Sequence, residues 1–201
     1  GHTVTSISTD LLSLDSVRAA ADEVARRLDD GELPPLRGLV SNAGLLFTND
    51  VTESPDGFEA TFVVHVLANH VLIRRLQDRF DEASRIVITV SDAHFGDFRH
   101  NMGMMPGPSW QDPALLARIS AFPKPDTVAA GGTAYATSKL AAISRIHEYA
   151  RRLPRGVDVV GYNPGFVPGT GLNRDAGAAV QFIMRTIMPL TARTPLASTQ
   201  E

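Results

Sequence analysis

Apolar positions recur along this chain with two alternating periods. Residues 3–9 form a short run of β-favouring side chains that closes at Asp10 and Leu11. Over 14–28 the apolar residues Leu14, Val17, Ala21, Val24 and Leu28 stand three and four apart, which predicts a helix. Asp15 and Asp22 toward its start and Arg26 and Arg27 near its end suit the helix dipole. Gly38-Leu39-Val40 predicts the middle of a buried strand, ended by Ser41-Asn42-Ala43-Gly44. The helical period returns over 56–80 with Phe58, Phe62, Val66, Leu67, His70, Ile73 and Leu76. Residues 85–90, Arg-Ile-Val-Ile-Thr-Val, are β-branched and apolar almost throughout, the mark of a strand buried on both faces. Residues 92–132 are irregular and rich in Met, Pro and Gly, with one short helix expected near 113–120. A helix over 133–153, a strand over 157–162, a Gly/Pro loop over 163–171 and a last helix over 174–187 complete the pattern.

Strand and helix in regular succession predict an α/β fold, a Rossmann-like parallel sheet with helices on both faces, occupying 1–201 as one domain. Ligands of such sheets sit outside the carboxyl ends of the strands. Strand polarity alone therefore gathers Asp10, Asn42 to Gly44, Ser91 with Asp92, and residues 163–170 along one rim.

Composition narrows the function classes. A chain of 201 residues is long enough for one well-cored domain. A net charge of −3 without basic blocks leaves no footprint for nucleic acid. The lack of cysteine excludes disulfides, thiol nucleophiles and cysteine-bound metal, and it is compatible with a reducing compartment. No apolar run approaches the ~20 residues that span a bilayer, so a cytoplasmic protein without a membrane partner is expected. Only two of the 19 basic residues are lysine, Lys124 and Lys139, so a retained lysine asks for a local reason.

Tyr135 and Lys139, four apart on a predicted helix, point to the same side. An ammonium about 4 Å from a phenol favours the phenolate by roughly 4 kcal/mol at an effective dielectric near 20, before desolvation. The pair is therefore expected to yield an acidified tyrosine fit for general acid–base work. Ser91, at the end of the 85–90 strand, either polarises a carbonyl or simply opens the loop. Asn42-Ala43-Gly44 permits close backbone approach to a ligand, or forms an ordinary turn. Gly165, Gly169 and Gly171 have a spacing that seats a pyrophosphate. Pro164 and Pro168 remove two donors there, and Asp175 stands too near to serve a ribose, so the loop is read as a ligand contact and not as that cradle. His94, Asp97 and His100 fix no metal geometry, and no metal is expected.

In order along nearly the whole chain, these residues resemble the short-chain dehydrogenase/reductase family. Asp10-Leu11 resembles its adenine-contacting acid after the third strand, Ser41-Asn42-Ala43-Gly44 its Asn-Asn-Ala-Gly motif, and residues 85–91 its strand ending in the catalytic serine. Tyr135-Ala-Thr-Ser-Lys139 resembles its Tyr-x-x-x-Lys motif, and Asn163-Pro164-Gly165 its loop beside the nicotinamide. The resemblance implies hydride transfer between NAD(P) and a carbonyl or alcohol, with Ser91 polarising the carbonyl and Tyr135 exchanging the proton. Lys139 would tune the tyrosine and bind the nicotinamide ribose. Asp10, Leu11, Asn42, Ala43, Gly44, Tyr135, Lys139, Pro164, Gly165, Val167 and Thr170 would contact the cofactor, NADP in preference to NAD. The long 92–132 segment would be a substrate lid, and the wide spacing between Ser91 and Tyr135 is similar to members acting on bulky or lipophilic small molecules. Pairing of copies would use the helices at 56–80 and 133–153.

Three features depart from the family. Its opening strand and Thr-Gly-x-x-x-Gly-x-Gly cradle have no counterpart here, so the sheet is expected to be N-terminally truncated, lacking the family's first two strands. Its active-site asparagine is replaced by His65, which is expected to relay a proton through water. The chain also stops at Glu201, where the family runs on. These departures keep two other readings open: a cofactor-free cyclase, isomerase or dehydratase using Tyr135, and a non-catalytic relative.

Overall fold

The computed structural model describes residues 4–47, 50–101, 103 and 105–165. Three parallel strands, β1 (Leu36–Ser41), β2 (Phe80–Thr89) and β3 (Val157–Tyr162), form a sheet in the order β1-β2-β3. Leu39 pairs with Ile86 and Ile86 with Val159, so side chains on one sheet face align across all three strands. That face carries Leu39, Ile86, Ile88, Val157 and Val159, and it packs against Ile73, Ala142, Ile146 and Tyr149. Burial of these apolar side chains, at roughly 1.5–3 kcal/mol for each large one, holds the layers together.

Helix α1 (Leu14–Asp29) precedes β1 and is capped by the Ser13 hydroxyl, which accepts from Ser16 N–H at 3.3 Å. It packs on α3 through Val17 and Ala21, and Asp29 pairs with Arg79 at 2.8 Å beyond the end of α3. The long helix expected over 56–80 begins later and is not uniform. It runs as α2 (Ala60–Phe62), a π-helical turn (Val63–Leu67) and α3 (Ala68–Leu76), with a 3₁₀ turn over Gln77–Arg79. Glu59 starts it by accepting from the N–H groups of Thr61 and Phe62 at 2.8 and 2.6 Å.

Strand β2 extends further than 85–90 because a bulge at its start, with Ala83 at φ 63°, lets Phe80 pair with Leu36. The irregular segment folds into short pieces: a 3₁₀ turn at Asp92–Phe95, α4 (Phe98–Asn101), α5 (Pro113–Leu116) and a 3₁₀ turn at Ile119–Ala121. Helix α6 (Val128–Arg152) starts five residues before the expected position, capped by Thr127. Its early turns contain Gly131 and Gly132, which the sequence reading left in the irregular 92–132 segment. Here they are contact points. A Cβ on Gly131 would stand 2.4 Å from the Phe47 carbonyl oxygen, and one on Gly132 would stand 2.8 Å from Pro106.

Residues 4–9 correct the sequence reading, since no strand forms there and Val4 is 92% exposed. Strand-favouring residues need a ladder partner, and β1 pairs only with β2 among the described residues. Among the described residues, the helices that pack on the sheet, α3 and α6, lie on the Leu39 face. On the other, Val40 and Val160 are exposed and Arg85 meets Asp158 at 3.1 Å. The helix expected over 174–187 lies outside the described residues. Among those residues no helix is long and apolar enough to cross a membrane.

Candidate active site

The carboxyl ends of the three strands bring together most of the sequence-predicted residues. β2 ends at Thr89 and delivers Ser91, whose hydroxyl accepts from Ala93 N–H and so starts the Asp92–Phe95 turn. Helix α6 delivers Tyr135, a buried side chain whose phenol interacts with the Ser91 side chain. Lys139, one turn later, places Nζ over the Tyr135 ring at 5.6 Å from its centroid and donates to the Thr89 carbonyl at 3.0 Å. The Thr89 hydroxyl in turn donates to Asn42 Oδ1 at 3.1 Å, joining the exposed turn of Asn42, Ala43 and Gly44 to the same strand end. On the far side Asn163 donates to Asp92 at 2.6 Å and accepts from Gly165 N–H at 3.1 Å, with Gly165 in the left-handed region at φ 68°.

The electrostatics differ from the sequence expectation. Tyr135 is buried, and burial pushes its phenol above the ordinary value of 10.0, with the Ser91 hydrogen bond offsetting part of the rise. Burial also draws the Lys139 ammonium down to about 8, weakening the charge that was to acidify the phenol. The two side chains share a face as expected, but burial sets the direction of both shifts.

His65 is also corrected. It is 2% exposed, and the edge of its ring meets Tyr135 at 5.4 Å and 82°. Nε2 accepts from Leu45 N–H at 3.3 Å, and Nδ1 lies 2.8 Å from Ser138 Oγ. Both nitrogens are engaged by protein groups, which leaves none for the expected water relay.

The rim does not gather everything. Asp10 is exposed in the turn before α1, where its carboxylate accepts from Leu12 N–H at 2.9 Å; Leu11 lies in the same turn. Pro164 stands between Asn163 and Gly165 on the rim. Val167 and Thr170 lie outside the described residues. Sequence reasoning placed Asp92 and Asn163 on the rim but not their hydrogen bond, and it missed the parts played by Thr89, Leu45 and Ser138. Thr89 alone carried a signal, as a hydroxyl at the carboxyl end of an otherwise apolar strand. His94 and His100 turn to the Ser91 carbonyl and to Asp97, and no group of three possible metal ligands occurs among the described residues.

No profile of a known protein family matches the chain. Individual proteins do. It is 28% identical to the short-chain dehydrogenase iccH of Talaromyces variabilis, over 98% of this chain and 61% of that one. It is 30% identical to the oxidoreductase calI of Penicillium decumbens, over 84% of this chain and 44% of that one. A candidate daunorubicin C-13 ketoreductase, DnrU of a Streptomyces species, is 35% identical over 80% and 48% respectively. The chain is similar in sequence to members of the short-chain dehydrogenase/reductase family. It spans about half the length of these curated relatives. Solved structures share the dehydrogenase/reductase fold. A blue fluorescent protein from a metagenomic library, in complex with NADPH, superposes with a TM-score of 0.57 at 23% identity, over 85% of this chain and 55% of that one. A short-chain dehydrogenase/reductase from Burkholderia phymatum, in complex with NAD, gives 0.52 at 20% identity, over 96% and 57%.

Proposed function

We propose that the chain is the catalytic part of an NAD(P)-dependent oxidoreductase that interconverts a carbonyl and an alcohol. The observation that carries this reading is the meeting of Ser91, Tyr135 and Lys139 at the strand-end rim, with Lys139 Nζ 5.6 Å from the tyrosine ring centroid and bonded to the Thr89 carbonyl. The donor set suits a nicotinamide cofactor. An ammonium has three protons, and Lys139 spends one on Thr89, which leaves two for ribose hydroxyls. Asn42, Ala43 and Gly44 expose a strand-end turn on which the cofactor would lie, beside Pro164 and Gly165. Asp10, Leu11, Val167 and Thr170 would complete the contacts. When bound, the nicotinamide supplies the hydride in reduction or takes it in oxidation.

The chain's own residues handle the oxygen and the proton. Ser91 hydrogen-bonds the carbonyl oxygen and orients it. Tyr135 donates its phenolic proton to that oxygen as the alcohol forms, which leaves a phenolate beside Lys139. In the oxidation direction the phenolate takes the proton back. A neutral phenol at rest, as burial favours, is the form that reduction requires. NADP is the preferred cofactor and a bulky or lipophilic carbonyl the substrate class. Exposed apolar side chains in the 92–132 segment, Phe95, Phe98 and Trp110, favour the latter. A cytoplasmic setting and pairing of copies through α3 and α6 belong to the same reading.

The test is a fluorescence titration of the 201-residue chain with NADPH and NADH, using the single tryptophan, Trp110, as reporter. Binding in the micromolar range, tighter for NADPH, is expected; no binding up to millimolar concentration sinks the reading. Tyr135→Phe should then lower kcat by about 10²–10⁴ with cofactor affinity nearly unchanged.

A further inference from the structure

We infer that His65 is a positioning residue: a neutral imidazole, protonated on Nδ1 and bare on Nε2, that ties the turn after β1 to the helix carrying Tyr135. The assignment follows from which groups can donate. A backbone N–H only donates, so the Leu45 amide obliges Nε2 to accept. The ring proton therefore sits on Nδ1 and points to Ser138 Oγ, 2.8 Å away. The Ser138 hydroxyl is then free to donate to the Tyr135 carbonyl at 2.7 Å. Each donor in the series has one acceptor, and the opposite tautomer or an imidazolium would set two protons face to face at Leu45.

The ends of this series are what make it functional. Leu45 follows directly on Asn42, Ala43 and Gly44, the turn at the rim. Ser138 lies between Tyr135 and Lys139 in sequence, and the ring edge of His65 rests on Tyr135 itself. One side chain thus fixes the spacing between the cofactor-facing turn and the two residues that act on the substrate oxygen and its proton.

The local backbone is shaped to put it there. The π-helical turn Val63–Leu67 breaks the regular hydrogen-bond ladder around His65. Two side chains pick up carbonyls of that turn. Asn69 donates to the carbonyls of Val64 and His65 at 3.3 and 3.0 Å, and the Arg145 guanidinium reaches the Val66 carbonyl. Lys139 is the cation acting on His65, and with burial it keeps the ring neutral. Helix α2 and residues 42–47 carry no charged side chain, and Arg74 and Arg75 of α3 bond Gln77 and Asp22 instead of the ring.

The claim about the ring is independent of the oxidoreductase reading; only its consequence for turnover rests on that reading. Nitrogen-15 spectra of the histidine-labelled chain, without cofactor, should show one imidazole with a protonated Nδ1 and a bare Nε2 that does not titrate between about pH 5 and 8. The Nε2–H tautomer, or an imidazolium at neutral pH, overturns the proposal whether or not NADPH binds. Glutamine offers both an acceptor and a donor at comparable reach, so His65→Gln should keep the KM for cofactor within about threefold of wild type. His65→Phe should raise that KM at least about tenfold with the pH profile of kcat unmoved. Equal loss in both variants, or a displaced pH profile, refutes the positioning role. If the phenylalanine variant does not fold, the spectra of the unaltered chain still decide.

Discussion

Lys139 shows how burial of one ammonium ties stability to pH and, under the proposed function, to turnover. Its ammonium is held at about 8, against 10.5 for the exposed group, because burial disfavours the charge. Between those values the unfolded chain binds more protons than the folded one, so this residue makes stability rise with pH from about 8 to 10.5. Lys139→Met should flatten that rise in a series of urea unfolding midpoints, and it should abolish turnover while leaving the midpoint at pH 7 equal or higher. A lower midpoint at pH 7 would mean that the ammonium stabilises the fold. The sequence made the shared face of Tyr135 and Lys139 legible, because that follows from helix geometry alone. It did not make the direction of the tyrosine shift legible, because desolvation depends on what packs around the ring. His65 was opaque for a related reason: its partners, Leu45 and Ser138, lie 20 and 73 residues away.

At the scale of elements, helix starts carry the next consequences. Glu59 is 1% exposed, and burial lifts its carboxyl to about 7 from an ordinary 4.5, against the pull of the Thr61 and Phe62 amides. The folded chain therefore holds a proton that the unfolded chain has lost, and this contribution to stability declines as pH rises from about 4.5 through 7. Glu59→Gln keeps an acceptor at the helix start and should remove that decline from a Tm-against-pH series. At the start of α6, Gly131→Ala should cost about 1–3 kcal/mol in chemical denaturation, since its Cβ would meet backbone oxygens of Phe47 and Asp50 at 2.4 and 2.9 Å. An unchanged midpoint would show that Phe47 and Asp50 yield. Strand β3 was the most legible element, read with its observed bounds, while β2 was recognised from its apolar β-branched run but not its early start at Phe80. Residues 4–9 were misread because strand propensity is realised only beside a partner, and α6 was begun late because glycine in a sequence does not announce a close approach.

For the whole molecule, the sheet order sets a hierarchy of protection. β2 is paired along both edges, while β1 and β3 each pair along one edge among the described residues. Amide hydrogen exchange should therefore be slowest at Ile86, Val87 and Ile88, with alternate amides of β1 and β3 exchanging faster. Uniform protection across the three strands would show that the outer edges are covered.

The glycines at 131 and 132 have a further bearing on how substrate choice can change. They act as two flush mounting points on the helix that carries Tyr135, one toward Phe47 and Asp50 and one toward Pro106. Under the proposed function, a 92–132 segment of different length or composition would have to keep the proline at 106 seated there to leave Tyr135 in place. Selectivity would then change through that attachment while Tyr135 and Lys139 keep their positions.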